Sequence, residues 1–290
     1  MKKSIISTEI ASTAKKVGEE KAIELIAKAG FDAFDLSMFT NVATYDWRTK
    51  LTTMADHPFG KDNYVAYARK LKKIGEDNGI FCNQSHAPFP TAPQGIKDVL
   101  KRSLEITAEA GGKICIIHPE NNKSPEENAQ MYIDLLPFAK SVGVKMATEN
   151  MWNWNSDLGH AAPAACSHHD NFLAHIKAVD DDYLVACLDI GHAEMRGLET
   201  DSVKMIKTLD KSLQALHIHD NDMHHDSHWL PFEMNIPFDP IVRALKDIGY
   251  KGEFTMEADA FMKAQDDVEQ GLKKLADAAR KIADKFDSLD

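Results

Sequence analysis

Long apolar runs are missing from this sequence: none approaches the ~18 apolar residues of a membrane-crossing helix, so no membrane partner is expected. GxGxxG, the P-loop, GxSxG and zinc-knuckle cysteine spacing are also missing, which leaves nucleotide cofactors and serine chemistry without support. The four cysteines, Cys82, Cys115, Cys166 and Cys187, show no CxxC pair, and three lie inside apolar strand-like runs, so they read as buried free thiols. Basic residues are in short supply, 34 Lys and Arg against 45 Asp and Glu, for a net charge of −11. That balance disfavours attraction to a phosphate backbone and favours a small-molecule substrate over nucleic acid. Met1-Lys2-Lys3 starts like a targeting segment, but Ser4–Ser7 is soon followed by Glu9 and Lys15, leaving no apolar stretch of signal length. A cytoplasmic location is the expectation.

A core is affordable from what remains, since 43% of residues are hydrophobic and 27% are charged. One phrase recurs: an amphipathic helix ending in glycine, then a short β-rich run ending in polar residues. It appears as AKAGFDAFDLS, KIGEDNGIFCNQSHA, AEAGGKICIIHPE, AKSVGVKMATEN and KDIGYKGEFTMEAD. Glycine stops a helix in the left-handed conformation at little cost, so Gly30, Gly79, Gly111, Gly143 and Gly249 read as helix ends feeding strands. The strands expected are Lys3–Thr8, Ala33–Ser37, Ile80–Ser85, Lys113–His118, Lys145–Glu149, Leu184–Asp189, Leu213–His219 and Gly252–Glu257. The clearest helices are Glu19–Ala29, Asn63–Asp77, Gly95–Ala110, Glu126–Ser141, Pro240–Ile248 and Asp267–Phe286. Buried strands alternating with helices imply parallel βαβ units. Eight such units over residues 1–290 predict one α/β domain, a single (β/α)8 TIM barrel with its active site at the C-terminal strand ends. Asn41–Asp62 and Met151–Asp170 are long polar excursions that would shape access to that face.

Four strand ends carry metal-binding chemistry: Glu149 in ATEN, Asp189 in LDIGHA, His217 in HIHDND and Glu257 in TMEAD. They are 40, 28 and 40 residues apart, one strand–helix unit each, so they converge only if the units close into a ring. Hard carboxylate oxygens with an imidazole nitrogen suit Mn, Co, Zn or Mg rather than copper or an iron–sulfur cluster. The same face gathers His86 in QSHAPF, His118 in IIHPE, His192 three residues past Asp189, and Asp226 and His228 beyond strand 7. A lone histidine is ordinarily a hydrogen-bonded core residue, so it is the clustering that carries weight.

The motifs SHAPF, IHPE, TEN, LDIGHA, HIHDND, Asp226-x-His228 and GYKGEFTMEA resemble the xylose isomerase-like TIM-barrel superfamily over essentially the whole chain. That group holds sugar-phosphate isomerases, ketose 3-epimerases, inosose dehydratases and endonuclease IV type enzymes. The resemblance implies one divalent metal on Glu149, Asp189, His217 and Glu257, with His217 matched in preference to His219, and His192 contacting substrate oxygens. His86 and Trp152 join His192 as expected substrate contacts; His118, Asp226 and His228 either hold a further metal or stand behind the ligands. A divalent cation on a hydroxy-ketone stabilises the enediolate formed by proton loss. Glu149 and Glu257 would move that proton, giving a sugar or sugar-phosphate isomerase or epimerase.

Two other chemistries share the motifs. An inosose dehydratase-like lyase uses the same kind of centre. Endonuclease IV type phosphodiesterases carry three zinc ions on nine ligands, which find counterparts in His86, His118, Glu149, Asp189, His192, His217, Asp226, His228 and Glu257. A DNA enzyme needs basic groove loops, whereas Thr40–Asp62 has three basic residues and Met151–Asp170 none. The ketose 3-epimerase pattern is also incomplete: Asn155 and Met223 stand where a Glu and an Arg are common, and Pro231-Phe232-Glu233-Met234 replaces Pro-Gly-x-Gly. Trp152, Trp154 and Phe89 follow strand ends directly, as aromatics that pack on a sugar face do, with Trp47 and Trp229 ranked below them. The acidic helix Asp266–Asp290 reads as the eighth outer helix, and the resemblance implies association as homodimers or homotetramers.

Overall fold

A computed structural model describes residues 3–289; Met1 and Lys2 of the signal-like start, and Asp290 at the end of the expected domain and last helix, lie outside the described residues. The described chain folds as a single (β/α)8 barrel of eight parallel strands: β1 Ile6–Glu9, β2 Ala33–Ser37, β3 Phe81–His86, β4 Ile114–Ile116, β5 Lys145–Glu149, β6 Leu184–Asp189, β7 Leu213–His217 and β8 Phe254–Met256. Seven neighbouring pairs form full parallel ladders, from β7 through β1 to β8. The eighth pair is slighter. Ile218 N–H donates to Thr255 C=O and Glu257 N–H to Ile218 C=O, each at 2.9 Å, and this bridge closes the ring. Among the described residues no helix is long and apolar enough to cross a membrane.

Helix positions follow from the stop and start chemistry in the sequence. Glu19–Ala29 buries Ala22, Ile23 and Ile26 as one stripe and ends at Gly30, whose φ of 103° few L residues adopt. Pro125–Val142 begins in a capping box, with Ser124 Oγ accepting from Glu127 N–H and Glu127 Oε2 accepting from Ser124 N–H. The remaining outer helices Tyr64–Asp77, Ile96–Ala110, Phe238–Asp247 and Val268–Ser288 lie within two residues of their expected ends. His169–Val179 and Ser202–Leu209 are the helices of the fifth and sixth units, whose bounds the sequence does not mark, while Ala11–Val17 and Asp259–Ala264 are additional to the eight units expected. Ala11–Val17 has no side-chain N-cap and buries Ser12 and Thr13, so it lacks both sequence signals of a helix. The two long excursions each fold a hairpin, Ala43–Asp46 with Leu51–Met54 and Asn153–Asn155 with His160–Ala162.

Hydrogen bonds between strands that are not neighbours can only cross the barrel interior. Ser7 Oγ on β1 donates to Asn83 Oδ1 on β3 at 2.7 Å, and Asn83 Nδ2 donates to Thr255 Oγ1 on β8 at 3.0 Å. This polar half faces an apolar half of Ile116, Ala147, Val185, Cys187 and Ala215 from β4 to β7. All four cysteines are free and buried.

The main core lies between the sheet and the helices. Phe34 on β2 is fully buried there, its ring 3.0 Å from where a Cβ on Gly75 would sit, so a glycine on Tyr64–Asp77 lets helix and strand approach. Truncating Phe34→Ala leaves a cavity the packed helix cannot refill. We expect a loss of about 3–5 kcal/mol in urea unfolding without a change of slope.

Candidate active site

Every βα turn of a barrel opens on one face, and here that face holds a cavity of about 470 Å³. The strand-end polar residues gather beneath it. Glu149 is fully buried at the end of β5: Oε2 lies 3.1 Å from His118 Nε2 and Oε1 lies 3.1 Å from His217 Nδ1. His217 Nε2 in turn faces Asp35 Oδ2 at 3.3 Å, so both its ring nitrogens are engaged. His86 Nε2 approaches His118 Nε2 at 2.7 Å, and His86 Nδ1 is 3.8 Å from Glu257 Oε1.

A second group lies beside the first. The donor atoms of His192, His219, Asp226 and His228 all fall within 4.8 Å of one another. Three imidazoles are anchored alike. His192 Nδ1 donates to Asn150 C=O at 2.8 Å, His228 Nδ1 to Glu257 C=O at 2.8 Å, and His219 Nδ1 faces Asp220 C=O at 3.3 Å. Each ring thereby aims Nε2 inward: His192 and His228 at Asp226 Oδ2 (3.3 and 3.1 Å), His219 at Asp189 Oδ1 (3.2 Å). Backbone-anchored imidazoles of this kind are how proteins fix the tautomer that binds a metal.

The supporting contacts explain the motifs. Asn150 of ATEN donates to Asp189 C=O and accepts from Asp189 N–H, both at 2.8 Å, which clamps β5 to β6 beside Glu149 and at Asp189. Gly191 of LDIGHA faces the His219 ring so closely that a Cβ would lie 1.9 Å from Cε1. Asp220 of HIHDND spends both oxygens on backbone: Oδ1 accepts from Asn221 and Ile236 N–H and Oδ2 from Met234 N–H, each at 2.9 Å. That brace holds the loop carrying Asp226 and His228, where His228 itself sits at φ 41°.

The electrostatics follow from many carboxylates and imidazoles packed in one dry place. Burial pushes the Asp189 carboxyl up, but His192 and His219 outweigh it and hold it below the usual carboxylate range. Burial opposes the charge on His192, yet Asp189 and Asp226 raise it to about 10. The two glutamates separate. Burial would raise Glu149, but His217 and His118 pull it well below the ordinary value, whereas burial leaves Glu257 raised to about 8. Burial, then Asp259 and Glu257, drives Glu9 well above its usual range.

A cation fits these residues. Asp189 Oδ2, Asp226 Oδ1, His219 Nε2 and His118 Nδ1 are buried without a hydrogen-bond partner, a costly state unless something else satisfies them. Anionic oxygens with neutral imidazole nitrogens are the donors a divalent ion takes.

Of the residues expected from sequence, His86, His118, Glu149, His192, Asp226, His228 and Glu257 line the cavity, and Asp189 and His217 lie among them as fully buried neighbours. Trp152 lines it too, its ring 6.4 Å from His192, as does Phe89, 5.4 Å from His118. Trp154 instead stacks on His225, and Trp47 pairs edge-on with Tyr45. Sequence reasoning passed over Glu9, Asp35 and Phe39, and ranked His219 below His217. Glu9 closes β1 as the expected ligands close theirs, so its strand-end position was the available signal.

Comparison with known proteins agrees with this geometry. Residues 23–286 match the xylose isomerase-like TIM barrel family. The chain belongs to that family. An uncharacterized protein of Methanocaldococcus jannaschii is 27% identical over 171 residues, a match that spans 56% of this chain and 55% of that protein's length. A D-tagatose 3-epimerase-like protein superposes with a TM-score of 0.70 at 19% identity, covering 97% of this chain and 99% of the other. The IolI protein, solved with a bound zinc atom, superposes with a TM-score of 0.72 at 16% identity, covering 98% and 100%. At such identities the likeness is one of fold.

The close approach at Gly191 makes a test of the packing. Gly191→Ala must displace the His219 ring or the backbone, and overpacking of this kind costs about 1–3 kcal/mol. We expect a lower melting temperature, with the His219 ring resonances shifted in the NMR spectrum.

Proposed function

We propose that this chain is a divalent-metal-dependent isomerase or epimerase acting on a small polyhydroxylated carbonyl compound, a sugar or sugar derivative. The observation that carries the reading is the placement of two buried carboxylates, Glu149 and Glu257, on one cavity, with the buried Asp189 and a ring of histidines beside them. Two carboxyl groups on one substrate cavity can serve as a general acid and base. Glu149 and Glu257 are the pair we assign to proton transfer.

The ion would be held by Glu149, Asp189 and Glu257 with one histidine of the HIH pair. Sequence matching selects His217, and its Nδ1 stands 3.1 Å from Glu149 Oε1 and 3.5 Å from Glu257 Oε2, while His219 Nε2 is 3.2 Å from Asp189 Oδ1 and 3.5 Å from Asp226 Oδ1. We assign the fourth ligand to His217 and group His219 with His192, Asp226 and His228 beside it. An ion held there supplies Lewis-acid polarisation of a carbonyl, which makes the neighbouring C–H acidic. His192 and His86 are placed to donate hydrogen bonds to substrate oxygens, and Trp152 and Phe89 to cover an apolar sugar face. Return of the proton to the same carbon from the opposite side gives an epimer; return to the adjacent carbon exchanges ketose and aldose. The names of the solved structures it resembles, a D-tagatose 3-epimerase-like protein and an L-ribulose 3-epimerase among them, support this class.

The donor group His192–His219–Asp226–His228 favours a second reading, multi-metal phosphodiester hydrolysis. Against it, the cavity lining holds one lysine and no arginine, a poor surface for a polyanion.

Two measurements test the proposal. Asp189→Asn keeps the shape and removes the charge, so tight metal binding by the purified chain should fall by an order of magnitude or more, and His217→Ala should do the same. Unchanged metal content in Asp189→Asn rejects the assignment. With a turnover substrate, wild type should incorporate solvent deuterium at the reacting carbon, and Glu149→Gln and Glu257→Gln should each lose about 10²–10⁴-fold in rate. Turnover without solvent exchange would replace proton transfer by a hydride shift.

A further inference from the structure

The cavity has a wall that the proposed proton chemistry leaves unused. It comes from the first βα unit: Glu9 at the end of β1, and Ala11, Ala14 and Lys15 on the helix that follows. Glu9 is half-buried and lines the cavity. Its charged neighbours are the carboxylates Asp259, Glu257 and Asp35, and both Asp259 and the Ser37 hydroxyl hydrogen-bond to it. Asp259 has further partners, accepting from Ser12 Oγ at 2.6 Å and from Lys263 Nζ at 2.9 Å. Glu19, also on the lining, is held by His57 at 2.8 Å and by Tyr67 at 3.2 Å. Among the described residues no basic side chain pairs with Glu9, and two carboxyl oxygens have acceptor sites beyond those that Ser37 and Asp259 use.

Such a wall selects against charge of one kind. A phosphoryl dianion is recognised by arginine forks, lysines or rows of backbone N–H groups, and this lining offers no arginine and only the exposed Lys15. A carboxyl group beside a serine hydroxyl instead forms hydrogen bonds with neutral hydroxyls, which both accept and donate. The small side chains of Ala11 and Ala14 leave room for a carbon chain beside it.

We propose that Glu9 is a specificity-determining residue of this site, binding substrate hydroxyls on the β1 side of the cavity and restricting the substrate to unphosphorylated polyhydroxy carbonyl compounds. This rests on the isomerase or epimerase reading and narrows it. A site built to pair with a hydroxyl rejects a group that leaves its polar atoms unpaired or meets them with like charge.

The test is calorimetric titration of the Mn²⁺-loaded chain with a panel of free ketohexoses and their 6-phosphates, with turnover followed in parallel. The best free sugar should bind about tenfold or more tightly than its phosphate ester. Glu9→Ala should weaken the free sugar about tenfold, Glu9→Gln should stay within about threefold of wild type, and Glu9→Lys should shift preference towards the ester. Equal or tighter binding of the ester by wild type overturns the inference, as does unchanged binding of the free sugar by Glu9→Ala. Efficient epimerisation of the ester alone would overturn it while leaving the isomerase reading intact. Binding of the free sugar in the expected pattern, with no solvent exchange at any carbon, would reject that reading and keep the role of Glu9.

Discussion

Mutual neutralisation of buried carboxylates and imidazoles is the interaction on which the rest of this structure depends. Asp35, Asp189 and Glu149 are at most 1% exposed, and a carboxylate so placed costs several kcal/mol unless partners surround it. The partners are histidines drawn mostly from other strands, His86, His118 and His217 at Glu149, His217 at Asp35, and His192 and His219 at Asp189. Ring closure supplies them. The polar bonds across the β1, β3 and β8 half of the interior extend the same network towards the barrel floor, where most barrels would be packed with aliphatic side chains.

Much of the architecture was legible because it is written locally. Helix ends at Gly30 and Gly143 need only a positive φ, which glycine advertises, and strands such as Lys145–Glu149 and Leu184–Asp189 are unbroken apolar runs between such marks. Strand ends were over-extended at β4, β7 and β8, whereas those of β5 and β6 fell where expected. The ladder of β4 stops at Ile116 and that of β7 at His217, because His118 and His219 are turned into the mouth of the barrel. Residues that act through space were not legible. Asp35 reads as one polar residue within a buried strand, and only the folded ring shows it 3.3 Å from His217, 182 positions away. The surroundings of His217 are of the same kind, since its Nδ1 meets Glu149 at 3.1 Å and Glu257 at 3.5 Å only in the folded ring.

Loss of the glycines expected after Asp226-x-His228 has a structural answer. Met223, His228 and Phe232 take φ of 63°, 41° and 74°, conformations that glycine would adopt without strain. Three backbone N–H groups bound to Asp220 hold the loop in that shape. Strained backbone that persists beside polar side chains is where function is ordinarily found, and here it fixes His228 against Glu257.

The slight closure between β7 and β8 has a thermodynamic meaning of its own. Seven staves of the cylinder are joined by ladders and the eighth joint rests on Ile218, flanked by His217 and His219 on one side and by Met256 and Glu257 on the other. A ligand that engages His217 and Glu257 together, whose side chains lie 3.5 Å apart, therefore rivets the seam as well as filling the mouth. Its binding free energy becomes resistance to opening of the ring, linking occupancy to the lifetime of the fold. In amide exchange the Ile218 and Glu257 protons are the natural reporters of that linkage, because they are the hoop that holds the barrel shut.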